Sequence, residues 1–145
     1  MIFGMKKSPS RYLSTDRHHV NVQKQLEDAP RVLEELSKHG VSSESSYRLE
    51  FYFYTNSPDH SNALSNELKD MGYRSQSGPS SYDKRLFVII GWSSPIPLDT
   101  PEVLKWVEEM CELGYEHDCE FDGWGTLVDQ SQIPPADPGQ SAGEA

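Results

Sequence analysis

Apolar and polar residues change places one by one between Tyr47 and Thr55. Leu49, Phe51 and Phe53 fall on one face, and Arg48, Glu50, Tyr52 and Tyr54 on the other. Period-two alternation with aromatic enrichment predicts a strand with one buried face. Downstream the period becomes helical. Ser57-Pro58-Asp59 supplies an N-cap, a first-turn proline and a first-turn acid, and Leu64, Leu68 and Met71 form the expected buried stripe up to Gly72. Tyr73 opens a short polar strand to about Ser77, and residues 78–84 read as a Gly-Pro-Ser turn. Leu86 to Trp92 is continuously apolar, the pattern of a strand central in its sheet or covered on both faces. Asp99-Thr-Pro-Glu102 starts another helix, with Val103, Trp106, Val107, Met110 and Cys111 on one half and Glu102, Lys105, Glu108, Glu109 and Glu112 on the other. Gly114 is its expected stop. Ahead of the first strand, Val32, Leu33 and Leu36 mark a short helix. Asp28 is its predicted N-cap and Pro30 lies in its first turn, and a start nearer Val22 and Leu26 fits the same stripe.

The last strand is expected to open at Tyr115. From Glu116 to Asp122 every second residue is an acid (Glu116, Asp118, Glu120, Asp122), and His117, Cys119 and Phe121 lie between them. Along a strand this spacing predicts one anionic face and one buried face. Asp122-Gly-Trp-Gly-Thr126 then suggests a bulge or tight exit. The two halves of the chain echo each other: strand, Ser57-Pro-Asp helix, Gly72-Tyr73, then strand, Thr100-Pro-Glu helix, Gly114-Tyr115. The predicted fold is therefore α+β, a ferredoxin-like βαββαβ sandwich with an additional N-terminal helix. Both crossover helices lie on one sheet face, and the N-terminal helix is the candidate to cover part of the other. That open face is expected to carry Tyr52, Tyr54, alternate residues of 86–92 and the acids of the last strand.

Charge sharpens this view. The net charge of −10 is uneven: residues 1–24 hold five Lys/Arg and one Asp, whereas residues 99–129 hold ten acids and one lysine. Such a surface repels phosphate, which disfavours direct nucleic-acid binding and favours basic protein partners. No apolar run is long enough for a membrane helix, and no apolar stretch follows the N-terminal basic residues as in a signal peptide, so the expected compartment is the cytoplasm. The two cysteines, Cys111 and Cys119, form no CxxC pair and read as buried core thiols. Residues 1–24 read as a flexible basic arm, 25–128 as the folded domain and 129–145 as a disordered tail.

Phe51-Tyr-Phe-Tyr54, the helix end Leu68-Lys-Asp-Met-Gly72-Tyr73, and above all Phe121-Asp-Gly-Trp-Gly-Thr126 followed by a polar tail carry a resemblance. Over roughly residues 25–128 the chain resembles the regulator of ribonuclease E activity B family. The resemblance implies a small acidic cytoplasmic inhibitor that docks on ribonuclease E, outside the enzyme's chemistry, and alters which transcripts it cuts.

The expected function is thus a non-enzymatic protein-binding regulator of an RNA-degrading endoribonuclease, engaging a basic or RNA-binding segment. An immunity-type inhibitor of another nuclease or toxin would use the same surface. The expected partner-binding residues are Tyr52, Tyr54, Glu116, Asp118, Glu120, Asp122 and Trp124, with no catalytic residues, metal or cofactor. Two readings of this set stay open: Trp124 and its glycines can be a docking hot spot or a packed strand exit, and the acidic stripe can meet a partner's Arg and Lys or simply guard a solvated edge. The Glu108, Glu109 and Glu112 face reads as solvated.

Overall fold

The computed structural model describes residues 10–135. Its elements are helix α1 (Thr15–Lys38), strands β1 (Ser46–Tyr47) and β2 (Glu50–Thr55), helix α2 (Pro58–Asp70), strands β3 (Arg74–Pro79), β4 (Phe87–Trp92) and β5 (Ile96–Pro97), helix α3 (Thr100–Glu116) and strand β6 (Glu120–Gly125). The main sheet has the order β3-β4-β2-β6, every neighbouring pair antiparallel, and β1 pairs with β5 in a small second sheet. Two strand–helix–strand crossovers joined by a hairpin produce this order, so the fold is the ferredoxin-like βαββαβ sandwich with an added N-terminal helix. Phe51 and Phe53 of β2, Ile89 of β4 and Phe121 of β6 turn to the helical side, where Leu64 and Leu68 of α2 and Val103, Val107 and Met110 of α3 complete the core. All nine are at most 1% exposed. The apolar run in β4 is explained by its central place, because its other face is open and Ile90 is 37% exposed.

The helix starts of α2 and α3 follow the sequence closely. Ser57 accepts from the His60 N–H and Asp99 from the Glu102 N–H, each with a proline just behind it. The other boundaries differ from expectation for physical reasons. Helix α3 passes straight through Gly114 to Glu116. Gly114 is required by close packing: a Cβ there would stand 2.6 Å from the Cys119 carbonyl oxygen and 2.9 Å from the Phe53 ring. The last strand consequently begins at Glu120, five residues later than predicted. The predicted strand 47–55 breaks at Arg48-Leu49. There the Arg48 N–H donates to Gln130 Oε1 at 2.7 Å, and Thr126 Oγ1 donates to the Arg48 carbonyl at 2.6 Å. Met71, expected in the buried stripe of α2, caps the helix end and is 44% exposed.

The largest correction is at the N-terminus. Residues 1–9 and 136–145 lie outside the described residues, but residues 10–24 are no loose arm. Helix α1 starts at Thr15, with Ser14 as N-cap, and Pro30 sits in its interior. Asp28, the predicted N-cap, instead pairs with Lys24 and Arg31 within the helix. Helix α1 does not cross the open sheet face either. It packs beside α3 along the outer edge of β6, where the Asn21 side-chain amide donates to the Phe121 carbonyl at 2.9 Å and Gln25 at 3.4 Å. A helix carrying two buried amides thus occupies the carbonyl side of an edge strand that would otherwise invite pairing with another chain.

The turn between α3 and β6 fixes this arrangement. Asp118 takes the left-handed backbone conformation, φ 58°, which Asp tolerates better than most residues. Its Oδ2 accepts from the Tyr12 N–H at 2.9 Å and its Oδ1 from the Leu13 N–H at 2.8 Å, while Arg11 and His60 approach to 3.6 Å. The Asp118 carbonyl accepts from Thr55 Oγ1 at 2.9 Å. Leu13 is thereby seated at 1% exposure. Asp118→Ala strands the buried Leu13 N–H and the half-buried Tyr12 N–H and places Ala in the left-handed region, so it should cost roughly 3 kcal/mol of stability. Asp118→Asn keeps one acceptor oxygen and the backbone tolerance, and should cost about half as much. Urea unfolding of both variants measures this, and a cost below about 0.5 kcal/mol for the alanine variant would contradict the assigned role.

Candidate interaction surface

The open face of the sheet is built by register. Tyr52 stands opposite Ile90, Tyr54 opposite Val88 and Glu50 opposite Trp92, so these six side chains project from the side away from α2 and α3. On the other flank of β2, Glu120 faces Tyr54, Gly123 faces Tyr52 and Gly125 faces Glu50. The register slips between Tyr52 and Phe53, which makes Asp122 the extra residue of a bulge. Gly123, at φ 142°, supplies the backbone angle there, and a Cβ at Gly123 or Gly125 would meet nothing within 4 Å. The result is a floor of aromatic and aliphatic side chains bordered by bare backbone.

Side-chain contacts stiffen this floor. The Tyr52 hydroxyl donates to Glu50 Oε1 at 2.7 Å, and desolvation, then that bond, push the phenol up to about 12. Tyr54 meets Tyr82 edge to face with ring centroids 6.0 Å apart, and Tyr82 is 76% exposed. At the corner next to Tyr54, Arg17 binds Glu120 at 2.6 Å and lies 4.9 Å over the ring of Tyr12. Asp122 makes no hydrogen bond or ion pair among the described residues. Loss of hydration, then the charge of Glu120, push its carboxyl above the usual range, while Lys24 opposes the shift.

Of the seven expected partner-binding residues, Tyr52, Tyr54, Glu120 and Asp122 come together here. The other three do not join them. Glu116 is the last residue of α3, on the helical layer. Asp118 is 7% exposed and engaged by the N-terminal segment. Trp124 stands opposite Phe51, hence on the core side, with its ring 6.1 Å from Trp106 and edge to face. The anionic stripe therefore does not exist as one strand face, and Glu120 is already neutralised by Arg17. Reading the sequence missed Tyr12, Arg17 and Tyr82. Tyr12 and Arg17 were assigned to a loose arm and Tyr82 to a turn, and no periodicity in either stretch tied them to the sheet.

The buried thiols of Cys111 and Cys119 are both pushed up to about 12, first by desolvation, which suits packing rather than nucleophilic work. Among the described residues no group of three or more His, Cys, Asp or Glu is placed to hold a metal ion. No described helix is long and apolar enough to cross a membrane.

The model of one protein family, regulator of ribonuclease activity B, matches residues 26–126, more than half of the chain. The chain belongs to this family. No curated protein matches it. The family match takes in the whole sheet, both crossover helices and the Asp122-Gly-Trp-Gly phrase, but starts inside α1. The segment that satisfies Asp118 and Glu120 lies ahead of it.

Because the Asp122 carboxyl is raised in the folded protein, its ionisation costs stability once the pH exceeds that raised value, and the cost vanishes below the ordinary aspartate range. Asp122→Asn should therefore stabilise the protein at pH 7, by a fraction of a kcal/mol for so exposed a group, and raise its melting temperature, with the gain fading below about pH 4. Thermal melts across this range check it. A loss of stability at pH 7, or a gain independent of pH, would contradict the assigned environment.

Proposed function

We propose that the protein is a non-enzymatic cytoplasmic regulator that docks on an RNA-degrading endoribonuclease of the ribonuclease E kind through the open face of its sheet. The observation that carries this reading is the floor of Tyr52, Tyr54, Ile90 and Trp92, which no described element covers because α1 lies along the β6 edge. A regulator of ribonuclease activity needs a surface for its enzyme, and half-buried aromatic side chains on a sheet are residue types that concentrate binding energy. Asp122 and Glu50 at the margin favour a basic segment of the enzyme, of the kind that holds RNA. Occupying that segment would compete with RNA without any chemistry on the regulator's part. The acids set on-rate and register more than affinity.

The test is binding of purified ribonuclease E to the wild type and to Tyr54→Ala and Ile90→Arg variants at low and moderate salt. Wild-type binding should weaken as salt rises, and each variant should lose at least about tenfold in affinity, the size of a hot-spot loss. Wild-type-like binding by both variants would remove the sheet face from the interface. Absence of wild-type binding at either salt would overturn ribonuclease E as the partner and favour a different nuclease or toxin.

A further inference from the structure

A larger group of carboxylates than the sheet face carries lies on the opposite layer, on α2 and α3. Between α2 and α3 runs a groove of about 570 Å³ whose floor is Tyr73, Trp106, Met110 and Leu113. The Trp106 indole N–H donates to the Tyr73 hydroxyl at 3.1 Å, which fixes the floor. Past Lys105 a smaller depression of about 210 Å³ continues it to Ile96 and Glu102. From Glu102 to Glu116 the valley follows α3 for about 21 Å, or four helical turns. Its rim is carboxylate on both sides. Glu67 is engaged by His117 at 2.7 Å and Glu112 by His18 at 3.0 Å. Glu108, Glu109 and Glu116 have no hydrogen bond or ion pair among the described residues, and Lys105 is the one Lys or Arg lining either hollow.

We infer that this groove is a second docking surface, and that its occupant is a basic amphipathic helix of a protein partner. Three observations favour that occupant. The valley follows α3 for about four turns, with Glu67 and Met71 at the end of α2 beside one half and Ile96 and Pro97 of β5 beside the other, a length that suits helix-in-groove recognition. Its rim is anionic, with Glu108, Glu109 and Glu116 unpaired among the described residues, so the complementary residues are Lys and Arg. Met71 stands 44% exposed at the mouth, and a methionine there is an adaptable apolar contact for a Leu or Ile of the incoming helix. The inference stands apart from the sheet-face reading, since the two surfaces lie on opposite sides of the sheet. A regulator with both could hold two segments of one enzyme, or an enzyme and a further component, at once.

The probe is a synthetic amphipathic Leu/Lys helical peptide of about four turns, titrated into the full-length protein and followed by NMR. The Met71 and Met110 methyl signals and the Trp106 indole signal should shift, while the Ile90 methyl signals stay in place. Glu109→Lys/Glu116→Lys should bind the peptide at least about tenfold more weakly, and a Leu/Glu peptide of the same pattern should leave the spectrum unchanged. Both substituted residues are exposed, so the variant should keep the wild-type pattern of core signals. Shifts at Ile90 in place of the groove, affinity unmoved by the charge reversal, or no binding at low salt would overturn the inference.

Discussion

The Asp118 carboxylate holds the N-terminal segment to the turn between α3 and β6, and the rest of the arrangement follows from that attachment. Two backbone N–H groups, of Tyr12 and Leu13, would be unpaired without it, and burying such groups unsatisfied costs more than a typical hydrogen bond gains. With Leu13 seated, α1 starts beside β6 and can only run along that edge. Asn21 and Gln25 then reach the Phe121 carbonyl, and Arg17 reaches Glu120. Among the described residues the sheet edge is thereby closed and the sheet face left open. One buried acid thus decides which surface of a four-stranded sheet remains available.

Bulk charge and local charge diverge in this molecule. The chain carries −10 overall, yet the open face is chiefly aromatic and aliphatic, with Arg17 cancelling one of its few acids. The carboxylates gather instead along the groove between α2 and α3. A sheet face that offers hydrophobic anchors and a groove that offers electrostatic complementarity are different kinds of recognition, and they should respond differently to salt. The first depends on buried area and the second on unscreened charge.

Much of this was legible in the residues. The alternation of 49–54 placed Phe51 and Phe53 inside and Tyr52 and Tyr54 outside, and the Ser-Pro-Asp and Asp-Thr-Pro-Glu phrases opened both crossover helices where expected. What misled was a glycine and an alternation. Gly114 looked like a helix stop but is small because Phe53 and the Cys119 carbonyl crowd it, a contact between distant parts of the chain that no local rule contains. Once the helix continues to Glu116, the period-two acids span a helix end, a left-handed turn and a strand, and their alternation has no common face. The N-terminal segment was illegible for a related reason. Its order comes from Asp118, more than a hundred residues away, and not from any periodicity of its own. Trp124 is a milder case, because the bulge at Asp122, two residues earlier, sets which way it points.

The proposed docking of the open sheet face on the ribonuclease can be read from hydroxyl-radical footprinting of the free protein and of its complex with purified ribonuclease E. Tyr52, Tyr54, Tyr82 and Trp92 should lose reactivity in the complex. A complex that forms while these four side chains keep their free-state reactivity would contradict it.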